Sequence, residues 1–357
     1  MNAQDSTPVK LLCWEGYDAK AIVDGFARRH GQRLDAECLL SDAAVADALL
    51  DGEYASHDLI NINNAYLRDC LDREGLVGPL DDELEQRYRD SIHPLYQRFL
   101  PWSYRDSGEL IGIGQRFGPF NLVINNRAVS RRSAEDEGFA LADDPRFRRR
   151  YAILDYPDFN LFHVCIGAGL DPFVRLSDDQ VELFRQTAER WLANAAMLEA
   201  DHHQLNRALL AGDIDFYISG GIYTVSPARL QGCHNLLAVT PASGPINGHG
   251  GIAFTEVTAL LAHGQPNAAR FLDYMLDVET AISIAFVDRT CNPVAQMGDP
   301  RVFKAFSRQQ LDAIQWDDLE TQLLHCADYQ IPPERQRLLP LLEQLKTSYR
   351  QTSGGLP

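Results

Sequence analysis

The sequence predicts an α/β protein built as two lobes, each a mostly parallel sheet flanked by helices. Three observations lead there. At 357 residues the chain exceeds what a single hydrophobic core usually organises. Its first hundred residues alternate short apolar runs with helical periods, a β-α-β-α-β rhythm that makes the strands parallel. A second unit of the same texture follows a Gly- and Pro-marked passage near residue 118.

Val9-Lys-Leu-Leu-Cys-Trp14 reads as a buried strand, and Ala19, Ile22, Val23 and Phe26 give residues 18–29 helical spacing. Residues 34–40 are strand-like, 42–50 helical, and His57-Asp-Leu-Ile-Asn-Ile62 strand-like again. Asp18 and Asp42 stand where an N-cap carboxylate would accept the first helical N–H groups. Residues 110–115 and 120–125 read as two short extended runs joined by Arg116-Phe-Gly-Pro119, a crossing between lobes. After a polar stretch over 130–144 come a strand at 151–155, helices at 158–168, 177–197 and 202–211, and strands at 214–218 and 235–239. The passage Gly244-Pro-Ile-Asn-Gly-His-Gly-Gly251 leads back into a strand at 257–261. The remainder is helical, with breaks near Asn292-Pro293 and Ile331-Pro-Pro333. The expected division is lobe 1 over 9–117 with 247–310, an inserted lobe 2 over 118–246, and C-terminal helices over 311–357 packing on the lobes.

Composition narrows the function. The 33 Lys and Arg against 50 Asp and Glu leave a net charge of −17, which argues against binding a phosphate backbone. Only Lys10, Lys20, Lys304 and Lys346 are lysines, so nearly all positive charge is arginine. An acidic surface favours cationic solutes weakly. The cysteines at 13, 38, 70, 165, 233, 291 and 326 are widely spaced, without a C-x-x-C pair, and read as buried thiols. No run approaches the ~18–20 apolar residues of a membrane span. Met-Asn-Ala-Gln-Asp-Ser-Thr7 lacks the basic and apolar regions of a signal peptide, as expected of a processed or truncated chain or of a cytoplasmic protein.

Enzyme motifs find no support. Gly112-Ile-Gly-Gln-Arg-Phe-Gly118 is one residue too long for a dinucleotide loop and lies between strands rather than opening a helix. No phosphate-binding loop, H-E-x-x-H or G-x-S-x-G is present. His202-His203 lacks a ligand cluster, and adjacent helix positions diverge by about 100°. No acid and base can be singled out among so many carboxylates. The expectation is a non-enzyme with no cofactor and no metal.

A resemblance supplies the rest. Leu11-Leu-Cys-Trp-Glu-Gly-Tyr17, a strand ending in Trp-x-x-Tyr, resembles the polyamine-binding branch of bacterial solute-binding proteins, the spermidine/putrescine-binding components of ATP-driven importers. Later landmarks keep the family's order. Asp58-Leu-Ile-Asn-Ile-Asn-Asn-Ala-Tyr66 resembles its Asp-Leu-Val-x-Pro-Ser-x-x-Tyr segment, and 114–125 its crossing. Gly212-Asp-Ile-Asp-Phe-Tyr-Ile218 resembles its second-lobe strand, and Asn267-Ala-Ala-Arg-Phe-Leu-Asp-Tyr-Met-Leu276 its following helix. The match runs from about Val9 to Pro293, each motif weak alone and informative in sequence. It implies a type II periplasmic binding protein fold with two hinge crossings, closing over a ligand between the lobes. It also implies a periplasmic monomer that delivers its ligand to a membrane permease.

Ligands of open α/β sheets bind beyond the carboxyl ends of the strands. That criterion selects Trp14, Glu15 and Tyr17; Asn63, Asn64 and Tyr66; Arg116 and Phe117; Asp155 and Tyr156; Ser219 and Gly220; and Phe254 with Glu256. Aromatic faces and carboxylates suit an amine. Trp14 and Tyr17 match the family's aromatic wall, with ordinary core packing as the alternative; Glu256 falls near its pocket aspartate. There are departures. The Pro-Ser loop is Asn63-Asn64, the second-lobe acidic pair aligns with Tyr156 and Phe159, and the second-lobe tryptophan is Ser219. Arg116 adds a cation, which would hold a ligand carboxylate or else bridge lobes or lie at the surface. The reading is a receptor for a small amine, either a polyamine or an amino-acid-like amine. A ligand-sensing partner of a membrane signalling receptor on the same fold is the alternative.

Overall fold

The computed structural model describes residues 7–39 and 41–352. Its strands are β1 (Val9–Cys13), β2 (Leu34–Cys38), β3 (Leu59–Asn63), β4 (Ile113–Asn125), β5 (Tyr151–Leu154), β6 (Met197–Glu199), β7 (Phe216–Gly221), β8 (Leu236–Val239), β9 (Gly251–Leu260) and β10 (Cys326–Asp328). The chain divides into two compact units, Met1–Phe117 with Phe254–Leu311, and Gly118–Ala253 with Asp312–Pro357. Strands β4 and β9 each carry the chain from one unit into the other. Residues 247–253 and 312–357 thus group with the second unit.

In the first unit β2, β1 and β3 are parallel neighbours, as the βαβ rhythm requires, and β9 runs antiparallel to β3 with Asn63 opposite Glu256. β9 is antiparallel because it returns the chain from the other unit rather than through a crossover helix. The apolar run of β1 is buried from Leu11 to Cys13. The helix Lys20–His30 turns Ile22 and Phe26 inward, where Phe26 meets Phe271 and Tyr274 edge-on at 5.4 and 5.6 Å. Gly31 ends this helix in the left-handed region, which costs glycine no Cβ clash.

In the second unit β6, β5 and β7 are parallel, β4 runs antiparallel to both β7 and β8, and β10 lies parallel to the start of β9. The helix Pro157–Gly167 is buried over nearly its whole circumference. It packs on the helix Asp178–Asn194, and the C-terminal helix Arg335–Thr352 packs on both. Ser177 and Gln180 form a reciprocal capping box at the start of Asp178–Asn194.

Several sequence expectations are corrected. The two extended runs around Arg116–Pro119 are one thirteen-residue strand, β4. Proline has no N–H for a ladder, and pairing with β7 begins one residue after it, at Phe120. Neither aspartate caps a helix. Asp18 accepts from the Gly16 N–H at 2.9 Å, while Ser41 caps the helix Asp42–Leu50 and frees the Asp42 carboxylate for tertiary bonds. Strand β2 ends at Cys38, and Leu40 lies outside the described residues. Three-residue β6 and β10 were too short to leave a periodic signal. No disulfide joins the cysteines; Cys13, Cys165, Cys291 and Cys326 are buried, but Cys38 is exposed. None of the described helices is long and apolar enough to cross a membrane.

Candidate functional site

The first unit gathers its polar residues where β1 and β3 end. The chain leaves β1 in a tight turn, with the Tyr17 N–H on the Trp14 carbonyl at 3.3 Å. Gly16 holds φ +97°, and a Cβ there would stand 2.5 Å from Val287 and 3.2 Å from the Arg116 guanidinium. Only glycine allows that approach. The turn sends Trp14 toward Asp42, whose Oδ1 accepts from the indole Nε1 at 2.9 Å and from the Asn63 backbone N–H at 3.2 Å. Asp42 Oδ2 accepts from Asn63 Nδ2 at 2.6 Å. The Asp42 side chain is the residue that sequence reasoning missed; its position after Ser41 at a helix start had suggested a cap.

Beside this cluster, across the Asn63–Glu256 register pair, lies a buried ion pair. Arg116 Nε donates to Glu256 Oε2 at 2.6 Å and Nη2 to Oε1 at 3.1 Å. Nη2 also donates to the Glu15 carbonyl at 2.9 Å, and the guanidinium stands 4.6 Å from the Tyr17 ring centroid. Both Arg116 and Glu256 are over nine-tenths buried. A planar guanidinium meeting a carboxylate at two points is what makes such burial tolerable. Burial pushes the Glu256 carboxyl up and Arg116 pulls it back, with burial the larger effect. Burial also raises the Tyr17 hydroxyl well above its ordinary value, with neighbouring Glu256 adding to it.

The other first-unit candidates serve packing as well. Tyr17 and Tyr66 are fully buried, and Tyr66 opens the π-helical segment Tyr66–Asp72. Asn64 Oδ1 accepts from the Thr255 N–H at 3.4 Å. Phe117 packs against Tyr96 and Phe99, with ring centres 5.2 and 5.6 Å apart. Phe254 is half-buried.

In the second unit, the Asp155 carboxylate accepts from Lys346 Nζ at 2.6 Å and also from Arg350, both on the C-terminal helix. Lys346, buried to 1% exposure, bonds Glu343 too. Tyr156 is half-buried and stacks on Phe120 with centroids 5.8 Å apart, and Phe159 approaches the same ring at 4.4 Å. Ser219 is fully buried at φ +65°. Its Oγ accepts from Asn160 Nδ2 at 2.7 Å and donates to His163 Nδ1 at 2.8 Å. The direction follows because His163 Nε2 lies 2.9 Å from the Phe120 carbonyl and must carry the proton. Burial pushes His163 down to about 3, so the ring is neutral near pH 7. This serine–histidine contact holds a helix to a strand end. At Gly220 a Cβ would meet the Tyr217 ring and lie 3.0 Å from Thr224 Oγ1.

The His202 and His203 rings approach at 4.2 Å between centroids, and His202 is buried with its ring 5.2 Å from that of Tyr223. Among the described residues no group of three or more His, Cys, Asp or Glu is placed to hold a metal ion.

The mixed α/β arrangement matches the two-lobed fold of the periplasmic binding proteins. Among the solved structures it matches is the spermidine/putrescine ABC transporter substrate-binding protein PotD from Streptococcus pneumoniae. That pair is 15% identical with a TM-score of 0.65, covering 97% of this chain and 100% of the other. A protein described as a spermidine/putrescine ABC transporter from Listeria monocytogenes matches at TM-score 0.71 and 13% identity, over 97% and 100%. The periplasmic binding protein MotA from A. tumefaciens, in complex with glucopine, matches at TM-score 0.66 and 12% identity, over 95% and 100%. Neither a protein-family model nor a curated protein matches the chain. The fold expected from the Trp-x-x-Tyr motif and its companions is the fold observed.

Proposed function

We propose that the chain is a non-enzymatic solute receptor that captures a small amine, a polyamine foremost, in the periplasm and delivers it to the permease of an ATP-driven importer. The receptor role is supported by likeness over nearly the whole chain to substrate-binding proteins, two of them described by spermidine and putrescine. The ligand choice rests on one observation. Arg116, the cation that would favour an amine bearing a carboxylate, is engaged by Glu256 at two points. A ligand carboxylate would have to displace a buried, bidentate partner, whereas an amine need not. Trp14 and Glu15 of the first unit, both half-buried, are the proposed contacts.

Thermal unfolding with putrescine, spermidine and a short ω-amino acid tests the reading. A ligand at 100 times its dissociation constant stabilises by ~2.7 kcal/mol. Spermidine or putrescine is expected to raise the melting temperature, and Trp14→Ala to weaken that binding by roughly 1–3 kcal/mol without loss of the apo fold. A melting curve that responds to the ω-amino acid but to neither polyamine would overturn the ligand choice. No response to any amine would overturn the class.

A further inference from the structure

We infer that Asp42 is a positioning residue that fixes the Asn63 amide so that its carbonyl oxygen accepts a hydrogen bond from the ligand's N–H; this rests on the amine reading above. An ionised carboxylate only accepts hydrogen bonds. Asp42, at 1% exposure, accepts from the Trp14 indole and the Asn63 backbone N–H on Oδ1, and from Asn63 Nδ2 on Oδ2. With the Asp42 carboxylate ionised, the amide has one orientation. Turning it over would set Asn63 Oδ1 against Asp42 Oδ2, two acceptors at 2.6 Å. With Nδ2 committed to Asp42, Asn63 Oδ1 is the side chain's remaining polar atom. It is buried and has no donor among the described residues.

A buried acceptor without a donor calls for an explanation, and a bound N–H supplies one. The position agrees. Asn63 is the last residue of β3, at the carboxyl end where ligands of such sheets bind, and stands opposite Glu256. The Glu256 carboxylate is held by Arg116, so the neighbouring acid is already matched by a cation of the protein. Asn63 Oδ1 offers a neutral acceptor in its place. One carboxylate thus orients both an aromatic side chain, Trp14, and an acceptor, Asn63. An ammonium group uses both, through its N–H and through the ring face.

Asp42→Asn separates orientation from packing. The substituted side chain still accepts from Trp14 and from the Asn63 backbone, but it places an NH2 where Oδ2 stood. Asn63 must then turn its carbonyl toward that NH2 and its own NH2 to the side away from residue 42. The acceptor seen by the ligand becomes a donor. Calorimetric titration with spermidine is expected to show affinity reduced roughly ten- to hundredfold, the equivalent of one hydrogen bond to a charged donor. Adding Asn63→Asp to Asp42→Asn exchanges the two side-chain types. One carboxylate oxygen accepts from the new NH2, the other is again an acceptor on the side away from residue 42, and spermidine affinity is expected to return. The Trp14 indole N–H resonance should keep its hydrogen-bonded position in both variants.

A merely structural Asp42 would lose stability without this rescue. Spermidine binding unchanged in Asp42→Asn, or a folded double variant no better than the single one, would overturn the inference while leaving the receptor reading intact. Wild type that binds no polyamine would overturn both, through its own titration. If Asp42→Asn does not fold, hydrogen exchange of the Asn63 side-chain NH2 in wild type decides. Protection with and without spermidine is expected, and an NH2 in free exchange with water would overturn the inference.

Discussion

Arg116 is tolerated in a buried position because Glu256 meets it with both oxygens and the Glu15 carbonyl takes a further N–H. From sequence, the same arginine, at the start of the Arg116-Phe-Gly-Pro119 passage, invited a role toward a ligand carboxylate; its fork is directed to a carboxylate of the protein. Removing one partner leaves the other charge buried. Arg116→Ala is expected to destabilise the protein by roughly 3–5 kcal/mol in urea unfolding. Replacing both partners, Arg116→Met with Glu256→Gln, should recover most of that loss. If Arg116→Ala unfolds at the wild-type midpoint, the pair carries no structural weight. Trp14 and Tyr17, three residues apart in sequence, also divide in their surroundings. Tyr17 is fully buried under the guanidinium, whereas Trp14 is half-buried and tied by its indole N–H to Asp42.

Elements rather than single residues carry the second unit. The helix Pro157–Gly167 is joined to the end of β7 through Asn160 and His163, which both bond Ser219 Oγ. Burial holds His163 near 3, whereas an unfolded histidine titrates near 6.5. Between those values the unfolded chain binds the extra proton, so this contribution to stability is fully present above about pH 6.5 and is lost as pH falls toward 3. His163→Gln retains a donor for the Phe120 carbonyl and an acceptor for Ser219 but does not titrate. Its stability, measured by urea unfolding at several pH values, should fall less steeply than wild type below pH 6.5. Identical slopes would place the acid sensitivity elsewhere. The C-terminal helix Arg335–Thr352 is fastened to this unit by Lys346 and Arg350 on Asp155. Neither contact was legible, because residues 155 and 346 lie far apart in sequence and no local pattern links them.

At the scale of the whole molecule, charge sets how a cation arrives. A net charge of −17 attracts polyamines over distances that salt screens. The association rate of spermidine, followed by tryptophan fluorescence in stopped flow, is expected to fall several-fold between about 10 mM and 0.5 M salt, with the dissociation rate changing little. An association rate indifferent to salt would remove steering from the account.

The sequence by itself determined the α/β class and the parallel pairing of β1 with β2 and β3. Hydrophobic period and βαβ order are local properties, and each is written in a run of ten to thirty residues. It also placed Trp14 and Asn63 at the ends of β1 and β3, whereas Glu256, expected beyond a strand end, lies within β9. Only the tertiary structure decided which groups meet. Asp42 joins Trp14 and Asn63 across 28 and 21 residues, and Arg116 joins Glu256 across 140. It likewise fused two short runs into β4, because a strand's extent depends on the partners that accept its N–H groups. A hydrogen bond or ion pair depends on distance in space, and distant segments carry no record of one another in their local composition.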